Sequence, residues 1–292
     1  MPWHILPRHP GGRDGSLNGM TEQLIPTRRA FPADDPIFAL NAEAQRRKAA
    51  GDSILNATVG ALLDEAGQLV VLDTVMDLWR GLGAMEVAPY APIAGDPGFL
   101  KALVQRHWPR LDSPGAACAT PGGSGALSLS LRNFLEPGQT LLTTAPFWGP
   151  YATMAAENGM GLATAPWPAV GQTLDGAAWE RALQALMKTQ GRVMLWLNDP
   201  CHNPSGRSLS AADRAALIGL LRSLAGQGPI TLLLDLAYLD YTREPAAVAE
   251  GLQDYAALGA EGAVLVGAAM SLSKSMTLYG ARGGALAFPW CA

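Results

Sequence analysis

The chain has 292 residues, 49% of them apolar, with a formal net charge of −4 and a sequence pI of about 5.6. That length suits one large α/β domain, or one domain with a small appendage, around a sizeable core. Charge is spread along the chain rather than gathered into a basic stripe, which argues against a nucleic-acid partner. The 3 cysteines (Cys118, Cys201, Cys291) and 4 histidines (His4, His9, His107, His202) show neither disulfide nor metal-ligand spacing.

Residues 1–19 are rich in Pro, Gly, Arg and His and read as the core of a disordered tail spanning 1–33, with Met20 as an alternative start. The sequence has no apolar signal core and no membrane-length apolar run, so a soluble cytoplasmic protein without a membrane partner is expected. A helix is predicted over Asp34–Ala50, with Arg46–Lys48 on its solvated face. Asn56-Ala-Thr58 matches a glycosylation sequon and is read as chance. A second helix is predicted over Phe99–His107.

From about residue 116 short apolar runs alternate with helical stretches. The runs are Ala116–Ala119, Thr140–Thr144, Gly161–Ala165, Val193–Leu197, Ile230–Leu234, Val264–Ala268 and Ala285–Phe288. The middle ones are continuous rather than alternating, as strands buried on both faces should be. Helices are predicted from Asp175 to Lys188 and, behind the capping signal Ser210-Ala-Ala-Asp213, to about Ala225. The pattern implies a mostly parallel sheet with helices on both faces, the last run returning as an antiparallel edge strand. Ligands of such sheets bind beyond the carboxyl ends of the strands.

Several residues at those ends could carry chemistry. Of the 4 lysines, Lys48, Lys101 and Lys188 lie on helices, whereas Lys274 follows a strand in the hydroxyl-rich loop Ser271-Leu-Ser-Lys274-Ser-Met-Thr-Leu-Tyr279. An amine held there, partly desolvated, would be a nucleophile; a solvated loop lysine is the alternative. Asp235 ends a leucine run and needs a partner near the core, either a protonated pyridine nitrogen or a helix N-terminus that it caps. Tyr238 would reach the same ring, or simply pack. The turn Thr120-Pro-Gly-Gly-Ser-Gly-Ala-Leu127 joins a strand to a helix and, through Gly123 and Ser124, could cradle a phosphate. It lacks the dinucleotide and P-loop patterns. Asn203, in Asn198-Asp-Pro-Cys-His-Asn203-Pro-Ser-Gly206, could donate to an oxygen or sit in an ordinary turn. Trp148 could stack on a flat heterocycle or fill the core, and Arg282 could join the phosphate site or a surface ion pair. A Cys201–His202 thiolate pair is disfavoured, because adjacent side chains seldom face each other.

Taken in this order, the motifs resemble the class I aminotransferases of pyridoxal-phosphate (PLP) fold type I, of the aspartate and aromatic aminotransferase kind. The resemblance runs from about Asp34 to Phe288. It rests on Asn203-Pro-Ser-Gly206, Asp235-Leu-Ala-Tyr238 and Ser271-Leu-Ser-Lys274 with Leu278-Tyr279 and Arg282, and also on Tyr90-Ala-Pro-Ile-Ala-Gly95 and Asn56-Ala-Thr-Val-Gly60. It implies a three-layer αβα fold with a mostly parallel seven-stranded sheet, a small-domain segment at 34–68 and a large PLP-binding domain at 69–292. It implies that Lys274 forms a Schiff base with pyridoxal 5′-phosphate, that Asp235 pairs with the ring nitrogen, and that Tyr238 and Asn203 hold the phenolic oxygen. Gly123, Ser124, Ser271 and Arg282 would bind the phosphate, Trp148 would stack on the ring and Gly60 would lie beside the substrate. Tyr90 would reach the phosphate of the other subunit of a homodimer. The implied reaction moves an amino group between an amino acid and a 2-oxo acid, with Lys274 as proton carrier and its pKa depressed. A C–S lyase, a cyclopropane-carboxylate synthase, a decarboxylase or an inactive PLP-binding fragment are the rival expectations.

The sequence departs from the family pattern at Ser205, where Thr is usual, and at Gly122, where many relatives carry a hydroxyl. Relatives also continue past a position equivalent to Ala292 into a small C-terminal domain. There an arginine grips the substrate carboxylate, and no residue here takes that role. The chain as it stands is therefore expected to expose an apolar patch, to aggregate and to transfer amino groups poorly.

Overall fold

A computed structural model of the chain describes residues 36–56, 58, 60–111 and 115–291, so the predicted tail at 1–33 lies outside the described residues, as do Ala57 and Val59 of the Asn56–Gly60 motif. The chain divides into two compact units, Met1–Leu62 and Leu63–Ala292. In the first, helix α1 (Pro36–Ala49) carries exposed Arg46 and Arg47, paired with Glu43 and Asp52 respectively. The Asn56 amide of the sequon donates to Asn41 Oδ1 and its side-chain oxygen accepts from the Thr58 hydroxyl.

The second unit opens with two short helices, α2 (Asp73–Gly81) and α3 (Ala84–Val87), neither with a buried residue. Helix α4 (Pro97–His107) starts where Asp96 accepts from the Phe99 amide, with Pro97 preset for the first turn. The remaining elements alternate: β1 (Ala116–Pro121), α5 (Gly122–Phe134), β2 (Thr140–Ala145), α6 (Pro150–Glu157), β3 (Gly161–Pro166), α7 (Gly176–Gln190), β4 (Val193–Leu197), α8 (Ala211–Leu224), β5 (Ile230–Asp235), α9 (Pro245–Ala260), β6 (Leu265–Ser271), α10 (Leu272–Ser275) and β7 (Gly283–Phe288). Asp175 and Ser210 cap α7 and α8 by accepting from the amides three residues on, and Ser210 also donates to Asp213 Oδ2.

The described strands form one 7-stranded sheet in the order β1-β7-β6-β5-β4-β2-β3. Pairs β2–β3, β2–β4, β4–β5 and β5–β6 are parallel. Strand β7 is antiparallel, but it is not the edge strand that the sequence suggests. It lies inside the sheet, paired with β6 on one side and β1 on the other. Its burial explains the correction: Gly284 to Phe288 are all buried, and an edge position would leave a row of N–H and C=O groups without sheet partners. Because β7 runs backwards, its amino end meets the carboxyl ends of β1, β2, β4, β5 and β6 along a single rim of the sheet.

Alternate side chains feed two cores. Leu195, Leu197, Leu232, Leu234, Val266 and Ala268 face α4, α7, α8 and α9. Met194, Trp196, Leu233, Ala269 and Leu286 face α5 and α6. Each fully buried leucine contributes about 1.5–3 kcal/mol by removal from water. Truncating Leu195, inaccessible to solvent, to Ala would cost about 2–5 kcal/mol. The sheet between two helical layers holds the rim rigid.

Candidate active site

The rim gathers most of the residues singled out by sequence. Helix α5 starts directly at the end of β1, with no side chain capping its amino end. Such an end offers free N–H groups and a partial positive charge to an anion. Gly122 sits at φ 71°, and a Cβ there would come within 2.7 Å of an Arg282 terminal nitrogen. A Cβ on Gly123 would meet the Ser271 Cβ at 3.3 Å. The glycine turn, Ser271 and Arg282 therefore line one small cup, and only side-chain-free residues leave it open. Arg282 is held there by bonds from its guanidinium to Ser273 Oγ (3.4 Å) and to the Tyr279 carbonyl (3.2 Å). It makes no ion pair among the described residues, so the surface salt-bridge alternative fails. The Gly122 departure has the same cause: a side chain would collide with the guanidinium.

Lys274 stands in the single turn α10, immediately after β6 and half-buried. Its Nζ lies 5.4 Å from the Tyr238 ring centre and 5.0 Å from that of Tyr279. Burial, and then the positive charge of Arg282, lower its pKa below the usual amine value. This is the direction a nucleophilic, proton-carrying amine needs. Tyr238 in turn accepts a 3.4 Å hydrogen bond on its hydroxyl from the Asn203 amide. The Asn203 backbone is fixed where its N–H donates to Asn198 Oδ1 at 2.6 Å, and Asn198 Nδ2 donates to the Asp235 carbonyl at 2.9 Å. The loop after β4 is thus pinned to the end of β5.

Asp235 is buried at the last position of β5 and caps no helix. Burial pushes its carboxyl above the ordinary value, opposed by hydrogen bonds from the Tyr151 hydroxyl and the Ala237 amide. These measure 2.6 Å to Oδ2 and 3.1 Å to Oδ1. No cation among the described residues forms an ion pair with it. A buried carboxylate held only by neutral donors is a site for an incoming positive charge. Half-buried Trp148, in the loop after β2, packs edge-on against Tyr151 with ring centres 5.8 Å apart.

Comparison with known proteins agrees with this geometry. Residues 52–289 match the family model for aminotransferase class I and II. The chain belongs to that family. It is 26% identical over 264 residues to a tyrosine aminotransferase of Klebsiella pneumoniae, covering 87% of this chain and 63% of that enzyme. An aromatic-amino-acid aminotransferase of Pseudomonas aeruginosa is 30% identical over 261 residues, with 86% of this chain and 62% of that enzyme covered. Among solved structures, an aminotransferase from Anaerococcus prevotii superposes with a TM-score of 0.83 at 27% identity, over 90% of this chain and 66% of that one. The chain thus spans less than two thirds of the length of these curated relatives. The fold is that of the PLP-dependent fold type I aminotransferases, and the family's cofactor is pyridoxal 5′-phosphate.

The cup, the amine and the isolated carboxylate suit the three distinct ends of that cofactor: phosphate, aldehyde and ring nitrogen. Tyr90 is fully exposed beyond α3, and Gly60 belongs to the first unit. Two residues that matter were not singled out. Tyr151, 84 positions from Asp235 in sequence, has no motif to betray it. The sequence offers His202 only as a neighbour of Cys201. It is instead buried, stacked on Trp167 at 4.0 Å, and its ring nitrogens meet Thr144 Oγ1, the Pro146 carbonyl and Ser205 Oγ. Burial holds its pKa down to about 4, so it is neutral at physiological pH, and burial raises the Cys201 thiol, so no thiolate pair exists.

Proposed function

We propose that the protein is a PLP-dependent aminotransferase that moves an amino group between an amino acid, aromatic in the relatives' names, and a 2-oxo acid. The observation that carries the reading is the convergence on one rim of a depressed-pKa lysine, a buried unpaired carboxylate and a glycine–arginine cup. When bound, the cofactor supplies an electron sink for the bonding electrons of the substrate α-carbon.

The chain's own residues do the rest. Lys274 Nζ would hold the cofactor at its aldehyde carbon and, as a free base, would carry the proton taken from the substrate α-carbon. Arg282 with the amides and hydroxyls of Gly123, Ser124 and Ser271 grips the phosphate, a charge-assisted contact. Asp235 holds the ring nitrogen in its protonated form, while Tyr238 and Asn203 donate to the phenolic oxygen. Trp148 would lie against the ring face. Exposed Leu78, Met85, Val87, Tyr90 and Ile93 support a homodimer in which Tyr90 reaches the partner's phosphate site. The first unit, with the helix α1, is read as part of a small domain.

Incubation with PLP, borohydride reduction and peptide mapping test the assignment. The adduct is expected on Lys274; an adduct on Lys48, Lys101 or Lys188 instead would refute it. Amino transfer from tyrosine or phenylalanine to 2-oxoglutarate, lost in Lys274→Ala, tests the reaction.

A further inference from the structure

Asp235 has four lone-pair positions as a carboxylate, and two internal donors take one on each oxygen: the Ala237 amide on Oδ1 and the Tyr151 hydroxyl on Oδ2. The Ala237 contact is local, two residues away, and can rotate with the side chain. The Tyr151 contact comes from another helix across the sheet rim. Its ring is clamped edge-on between Trp148, at 5.8 Å, and Trp196, at 5.0 Å, and is 1% exposed. A phenol so confined has one direction in which to send its proton. The 2.6 Å length is that of a hydrogen bond to a charged acceptor.

We propose that Tyr151 is the positioning residue for Asp235: its hydroxyl fixes the carboxylate's plane and stabilises its negative charge, leaving the remaining lone pairs aimed at the ring nitrogen of the cofactor. The inference rests on the proposed function and deepens it. The titratable groups facing Asp235 are Tyr151 from α6 and Tyr238 from the loop after β5. Neither is a cation. Burial and the Asp235 charge raise the Tyr151 pKa well above that of a free phenol, so it stays a donor at every working pH. The charge of Asp235 is therefore stabilised by a neutral donor that does not titrate alongside it, and the pH response of this contact belongs to the carboxylate.

The test is a set of four full-length proteins: wild type, Tyr151→Phe, Asp235→Asn and the double variant. Each is titrated with PLP and followed by tryptophan fluorescence. Tyr151→Phe is expected to weaken binding about 10-fold or more, the size of a hydrogen bond to a charged group. In the Asp235→Asn background the same change should cost less than about 3-fold, because the partner charge is gone. Equal affinity for wild type and Tyr151→Phe would overturn the inference, as would an equal loss in both backgrounds, which is the mark of a merely packed side chain. Thermal melts without cofactor supply a second readout. The deficit of Tyr151→Phe should shrink as pH falls and Asp235 takes up its proton, since a charged acceptor misses the donor most. A pH-independent deficit would also overturn it. If wild type itself takes up no PLP, the functional reading fails first. If it binds and Tyr151→Phe binds equally, only the role of Tyr151 falls.

Discussion

Two buried aspartates stand near the ends of neighbouring strands, and they are built alike. Asp199, just past β4, accepts from the Tyr255 hydroxyl at 2.7 Å and from the Leu209 amide at 2.9 Å. Asp235, at the end of β5, accepts from the Tyr151 hydroxyl at 2.6 Å and from the Ala237 amide at 3.1 Å. Burial raises both carboxyl groups above the ordinary value. The difference is a cation. Buried Arg214 faces Asp199 and offsets part of its burial, whereas no basic group does this for Asp235. The bonds to Tyr255 and Leu209 tie the loop Asn198–Leu209 to α9, and Arg214 of α8, itself ion-paired to Asp254 at 2.7 Å, adds a nearby positive charge. Asp235, on the rim of the sheet, is held by neutral donors alone. The comparison teaches that the same local device is structural or functional according to whether its counter-charge is internal.

Removing the Asp235 charge should show the largest effect. Asp235→Asn is expected to weaken PLP binding by about 3–5 kcal/mol, the cost of leaving the other member of a buried charge pair uncompensated. The cofactor-free protein should lose little thermal stability, because the carboxylate that goes was itself desolvated. A large fall in melting temperature without cofactor would break the comparison by making Asp235 as structural as Asp199. Next comes Tyr255→Phe, which strips Asp199 of its charge-assisted hydrogen bond and should cost about 1.5–3 kcal/mol of folding stability. Its PLP affinity should stay within about 2-fold of wild type, measured by the same fluorescence titration. Gly122→Ala touches neither pair. It forces a side chain into the left-handed region at φ 71° and against Arg282, for about 1–3 kcal/mol of strain. That loss should appear in PLP affinity, and pyridoxal without the phosphate should feel much less of it.

The smallest effect is one of pH. An acid held above its ordinary value in the folded chain binds protons more tightly folded than unfolded. Its contribution to stability therefore falls as pH rises from about 3.8 towards the raised value. Denaturant midpoints of the cofactor-free protein should decline through that window, and the decline should be shallower in Asp235→Asn. Saturating PLP should also flatten it, by supplying the missing cation to Asp235 and leaving only the share due to Asp199.

Much of this arrangement was legible in the sequence because it is local. The continuous apolar run Val193–Leu197 is β4 residue for residue, and Ser210 and Asp175 stand at the starts of the helices they cap. Asp235 and Ser271 could be placed on the rim because each ends a strand, and Gly123, Lys274 and Asn203 because each lies in the loop or turn that follows one. What stayed hidden depends on partners distant in sequence. Nothing in Pro150-Tyr151-Ala shows that its phenol meets residue 235. The stacking of His202 on Trp167 and the insertion of β7 between β1 and β6 are likewise settled only by tertiary packing. Helix α9 has a weak sequence signal because Ala and Gly dominate it, so its buried Leu252, Tyr255 and Leu258 form only a thin periodic stripe.

The most direct test is the nitrogen-15 resonance of ring-labelled PLP bound to the chain, recorded across the neutral pH range. The account predicts a protonated ring nitrogen that does not titrate in wild type and reverts to the deprotonated position in Asp235→Asn. A ring nitrogen that is deprotonated in wild type, or unchanged by that substitution, would contradict it.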